Sequence, residues 1–287
     1  VAIGADGLGL ISYYDYFNGD LMVLHCGSAD CSVGNIGTTV FATNYVGQYS
    51  SITIGADGLG LISHYESVYG DLQVLHCGNV FCTGGNTATT VNATGDVGLN
   101  SSITTGADGF GLISYFDATN TALKVVHCGN AVCNSGGSNT IVDNAAQVGY
   151  YSSVTVGPDG LGLISYYDTT NSDLKVLHCG NVACTSGNLA TTVDSAGNVG
   201  GPSSITIGPD GLGLISYIDL TDSALKVLHC GDALCASGNI STTVDSAGYV
   251  GSPSSIAVGP DGLDLISYYD GTNGALKILH CGDAACT

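Results

Sequence analysis

The chain has 287 residues, with 23 Asp, one Glu, four Lys and no Arg, and a formal net charge of −20. Such an acidic balance argues against nucleic acid and anionic membrane surfaces as partners, because their phosphates are met by clustered Lys and Arg; cations and neutral polymers remain. No apolar run approaches the roughly 18 residues a membrane span requires, so no membrane insertion is expected, and the charge also serves solubility in a chain with 44 Gly.

A period of 51 residues organises everything else. The dipeptide His-Cys recurs at His25, His76, His127, His178, His229 and His280 without drift, and Asp6, Asp57, Asp108, Asp159, Asp210 and Asp261 recur at the same interval in a Gly-Ala/Pro-Asp-Gly turn. The repeats run approximately 1–51, 52–102, 103–153, 154–204, 205–255 and 256–287, the last being partial. A unit this small cannot bury a core alone, so the copies are expected to fold together as a single domain over 1–287. No charged segment followed by an apolar one precedes Val1, and the chain begins inside a repeat, so it reads as a mature or partial product.

The fourth repeat shows the elements in order. Ser152 to Gly157 is a short β-branched strand, and Pro158-Asp159-Gly160 supplies a turn. Leu161 to Asp168 alternates with period two, placing Ile164, Tyr166 and Asp168 on one face and Leu163, Ser165 and Tyr167 on the other. After a polar loop, Leu174 to Cys179 forms a third strand, and Thr191-Thr192-Val193 begins a fourth. Four strands per unit and no helical periodicity predict an all-β fold, a six-bladed β-propeller of four-stranded repeats with an incomplete last blade. Over its full length the chain resembles β-propeller repeat proteins in general, without the Trp-Asp ending of WD40 units or a kelch signature, so the resemblance implies a fold and no activity.

Each repeat holds Cys-x4-Cys: Cys26 with Cys31, Cys77 with Cys82, Cys128 with Cys133, Cys179 with Cys184, Cys230 with Cys235, and Cys281 with Cys286. Local disulfides are the simplest reading and place folding in an oxidising compartment, outside the cell or at its surface. A metal site is disfavoured, because adjacent His and Cys on a strand point to opposite faces and each repeat offers only three ligands. The six histidines are expected to make one structural hydrogen bond per blade, to the Ser of Ile-Ser-Tyr or the Asp of Tyr-Tyr-Asp, and no cofactor is expected. Asp15, Asn18 and Asp20, and likewise Asp168, Asn171 and Asp173, offer calcium a set of oxygens, although an Asx-type hairpin turn explains them more simply. Asn92, Asn100 and Asn239 begin glycosylation sequons, all expected in loops.

An enzyme would show a place where one copy departs from the rest. The uniform repetition offers no such catalytic residue, so the expectation is a non-enzymatic extracellular scaffold, such as a subunit of a cell-surface fibre, layer or adhesin. The alternatives are a lectin-like propeller that binds glycans and a secreted hydrolase using one blade loop. Five blades of four strands and one of three make 23, and the open edge of the sixth blade is expected to meet a second copy of the chain by strand pairing or stacking, to be filled by a longer parent chain, or to stay three-stranded.

Overall fold

The computed structural model describes residues 1–42 and 45–287. Among them every regular element is a β-strand. Two compact units are distinguished, Val1–Ile141 and Val142–Thr287.

In the first unit, β1 (Ala2–Ile3), β2 (Gly9–Asp15), β3 (Asp20–His25) and β4 (Ile36–Phe41) form one antiparallel sheet in chain order. The second comprises β5 (Val46–Ile54), β6 (Gly60–Glu66), β7 (Asp71–His76) and β8 (Thr87–Asn92), and the third β9 (Val97–Thr105), β10 (Gly111–Asp117), β11 (Ala122–His127) and β12 (Ser138–Asp143), the last crossing the unit boundary. In the second unit, β13 (Val148–Val156), β14 (Gly162–Asp168), β15 (Asp173–His178) and β16 (Leu189–Asp194) form the fourth sheet. β17 (Val199–Ile207), β18 (Gly213–Asp219), β19 (Ala224–His229) and β20 (Ile240–Asp245) form the fifth. β21 (Val250–Val258), β22 (Asp264–Asp270) and β23 (Ala275–His280) make a three-stranded sixth. These are the blades of a six-bladed β-propeller whose last blade is incomplete.

The first strand of each later blade starts before the Ser-Ser pair that marks it in sequence. Its ladder to the second strand slips, as between Val148, Tyr150 and Ser153, and this bulge hides the alternation from a periodicity reading. Gly98 shows why the bulge needs glycine: its φ is +102°, and a Cβ there would stand 2.9 Å from Leu72 Cα.

Within each unit the blades pack face to face. Leu61, Leu72 and Val74 of the second blade meet Val97, Ile103, Ile113 and Tyr115 of the third. Leu163, Leu174 and Val176 of the fourth meet Val199, Ile205, Ile215 and Tyr217 of the fifth. Each such side chain, fully buried, contributes about 1.5–3 kcal/mol. Strands β6 and β18 are buried at every residue, so polar members of the alternation such as Ser63 and Ser216 are as enclosed as the Leu and Ile beside them. In the sixth blade one face of β22 and most of β23 are exposed.

Candidate active site

All six Cys-x4-Cys pairs are closed as disulfides within their own repeats, as the spacing indicates. They point to an oxidising environment. No helix among the described residues is long and apolar enough to cross a membrane.

The histidines do make one structural contact per blade, but with a different partner from either expected one. Each His Nε2 faces Oδ2 of the Asp in the preceding Gly-Ala/Pro-Asp-Gly turn, at 2.7–2.9 Å in all six blades. The hairpin register explains the correction: Leu10 pairs with His25, so the end of the third strand lies beside the turn that precedes the second. The same Asp also closes its turn, as when Asp210 Oδ1 accepts the Leu212 N–H at 3.0 Å.

Neighbouring blades are latched by a second recurring set. Asp194 Oδ2 on β16 accepts from Tyr217 OH at 2.6 Å and from Lys226 Nζ at 2.7 Å, both on the next blade. Asp143 with Tyr166 and Lys175, and Asp245 with Tyr268 and Lys277, repeat it. Burial works against ionisation of Asp194, yet the bonds from Lys226 and Tyr217 outweigh it and hold the carboxyl below its usual range. Between the first two blades all three members change together, to Phe41, His64 and Gln73, and Phe41 meets the His64 ring edge-on.

The proposed calcium ligands serve the second hairpin. Asp168 Oδ1 accepts the N–H groups of Thr170 and Asn171, and its Oδ2 accepts Asn171 Nδ2 at 2.8 Å. Asp15 and Asn18 form the same closed turn, while Asp20 and Asp173 sit across the ladder from Asp15 and Asp168. Among the described residues no group of three or more His, Cys, Asp or Glu is arranged to hold a metal ion. Of the sequons, two are not in loops. Asn92 ends β8, buried, with its amide donating to Tyr115 OH, and Asn100 lies inside the bulged β9. Asn239 lies in a loop, its amide donating to the Cys235 carbonyl.

One departure from repetition was not picked out by the sequence reading. The first residue of the second strand is Gly9, Gly60, Gly111, Gly162 and Gly213 in five blades, and Asp264 in the sixth. The place is tight: a Cβ on Gly213 would stand 2.8 Å from Leu163 Cδ2 and 2.9 Å from Cys230 Sγ. Asp264 is wholly buried there, and neither carboxyl oxygen has a hydrogen-bond partner. Burial, then the charge of Asp210, raises its pKa, with His229 pulling slightly the other way. Asp210 is shifted in the opposite sense. Its own burial is outweighed by the Leu212 N–H and by His229, and its carboxyl is held ionised below the usual range. The Asp210–His229 pair is 2.7 Å apart, with the Asp210 side chain about a third exposed. The two carboxyls are therefore shifted in opposite senses, the kind of separation on which acid–base catalysis draws.

No protein-family profile matches the chain, and no curated protein sequence does. Solved structures do. An α-L-arabinofuranosidase from Fusarium graminearum in complex with an iminosugar inhibitor superposes with a TM-score of 0.53 at 10% identity, covering 83% of this chain and 81% of that one. A β-1,3-galactosidase of glycoside hydrolase family 43 gives 0.52 at 9% identity, over 83% and 92%. An endo-arabinase from Bacteroides thetaiotaomicron gives 0.51 at 10%, over 81% and 92%.

The likeness is one of fold. It nonetheless corrects the expectation of a non-enzymatic scaffold, fibre subunit or adhesin, which rested on the premise that a repeated propeller offers no place for catalysis. The three neighbours above are hydrolases by name, and Asp264 is a local exception to the uniform repetition on which that premise rested.

Proposed function

We propose that the protein is a secreted glycoside hydrolase that uses Asp264 as proton donor and Asp210 as its ionised partner. The observation that carries this reading is the unrepeated carboxyl: buried, without a partner, its pKa raised by that burial, and coupled to a carboxyl that His229 holds below the usual range. Hydrolysis of a glycosidic bond needs this pair, one acid to protonate the leaving oxygen and one carboxylate to act as nucleophile or to activate water. The fold neighbours, which act on arabinose- and galactose-containing substrates by name, suggest where to begin. The acidic surface suits neutral polysaccharides better than anionic ones. Asp264 is wholly enclosed, so turnover on this reading requires the sixth blade to draw back from the fifth. The exposed β23 makes that blade the least enclosed.

The test is hydrolysis of arabino- and galacto-oligosaccharides, whose sugar leaving group needs a proton, by the native protein and by Asp264→Asn. Turnover that falls at least about 100-fold in the variant, with the fold retained, supports the reading. Absence of turnover on a broad panel of neutral glycosides, or a variant as active as the parent, overturns it.

A further inference from the structure

In four blades the loop after the third strand is held by an asparagine. Asn35, Asn86, Asn188 and Asn239 each accept a glycine N–H on Oδ1, from Gly27, Gly78, Gly180 and Gly231, at 2.9–3.0 Å. Each returns Nδ2 to the carbonyl of the second cysteine, Cys31, Cys82, Cys184 or Cys235, at 2.7–3.1 Å. The side-chain amide is thus a plug that donates once and accepts once. In the third repeat the same position is Gly137. With no side chain at that position, the Gly129 N–H and the Cys133 carbonyl face no such amide.

A groove of about 180 Å³ lies where the plug is missing, between β8 of the second blade and the disulfide loop of the third. Thr89 and Thr90 form one wall and Gly129, Cys133, Gly137 and Ser138 the other. Ser138 Oγ is screened from solvent and without a hydrogen-bond partner, and Ser138 is part of that wall. Buried polar atoms left unmatched in this way cost free energy unless something satisfies them. The groove is smaller than the sites that take drug-sized molecules, so its scale is that of a single sugar ring.

We propose that this groove binds the acetamido group of an N-acetylated amino sugar. The ligand's carbonyl accepts the Gly129 N–H and its N–H donates to the Cys133 carbonyl, reproducing the two bonds of the absent Asn amide. Ring hydroxyls meet Ser138, Thr89 and Thr90. The site lies in the first unit and Asp264 in the second, so it stands or falls apart from the proposed hydrolysis.

Calorimetric titration of the native protein with N-acetylglucosamine, glucose and acetamide tests it. Saturable binding of N-acetylglucosamine, at least tenfold weaker binding of glucose, and much weaker binding of acetamide alone are expected, because glucose leaves both backbone groups unmatched. Gly137→Asn restores the residue of the sister loops and should abolish binding, with circular dichroism showing the fold retained. A Cβ at this position stands 2.7 Å from the His127 carbonyl oxygen, so the loop must shift to take it. Ser138→Ala, which adds no bulk, is the second variant and should weaken binding about tenfold. Equal binding of glucose and N-acetylglucosamine, no saturable binding of either, acetamide as tight as the sugar, or unchanged binding in the folded variants overturns the proposal. Loss of turnover in Asp264→Asn with N-acetylglucosamine binding intact separates this site from the hydrolytic one.

Discussion

Removing Lys226 from its latch is the sharpest test of how the blades are coupled. The Asp194 and Lys226 side chains are only 7% and 11% exposed, and a buried pair broken from one side costs about 3–5 kcal/mol because the remaining charge is stranded. Tyr217 continues to donate to Asp194, so Lys226→Met should sit near the lower end, about 3 kcal/mol, which is a fall of about 6–12 °C in Tm. Replacing the whole set with its counterpart between the first two blades, Asp194→Phe, Tyr217→His and Lys226→Gln, removes the stranded Asp194 carboxylate, leaves Asp219 held by its own turn, and should recover at least half of the loss. The sign with pH follows from the depressed pKa of Asp194: its stabilisation is present above the unfolded carboxylate value and is lost as pH falls through the folded one. Chemical denaturation of the native protein and both variants at pH 7 and near pH 2.5 reads all of this. A single-variant cost below about 1 kcal/mol, or an equal cost at both pH values, would refute the latch.

Asp264→Gly, which restores the repeated residue, should raise stability at pH 7. With a folded pKa above the unfolded one, the native protein loses stability as pH climbs from the unfolded carboxylate value towards the folded one, and the variant should lose that slope in denaturation at pH 4 and 7. Replacing Cys77 and Cys82 together by Ser opens a six-residue loop and should cost about 2 kcal/mol, read by the same method. Asn188→Gly should open in the fourth blade a groove like the one beside Gly137, at a cost of about 1–3 kcal/mol for the unmatched Gly180 N–H and Cys184 carbonyl. A crystal structure of that variant would show the groove or its absence.

The repeat, the strand count and the disulfides were legible because each is a local pattern copied at fixed spacing. The His–Asp pairs were not, since His25 and Asp6 meet only through the hairpin register, 19 residues apart in sequence. The sequons of Asn92 and Asn100 read as loops because the bulge of the first strand breaks the alternation that would have marked Asn100 as strand. Asp264 and Gly137 carried a plain signal, a single exception in a column of identical residues at 51-residue spacing. The same alternation that revealed the strands drew attention to what repeats, whereas burial and missing partners reveal what the exceptions do.

If Asp264 donates the proton, its removal must matter most where the leaving group needs one. The decisive measurement is kcat/KM for Asp264→Asn against the native protein on two glycosides of the same sugar, one with a nitrophenyl leaving group and one with a sugar alcohol. Protonation by Asp264 predicts a much larger loss on the sugar leaving group than on nitrophenyl. Equal losses on both, or none on either, would contradict it.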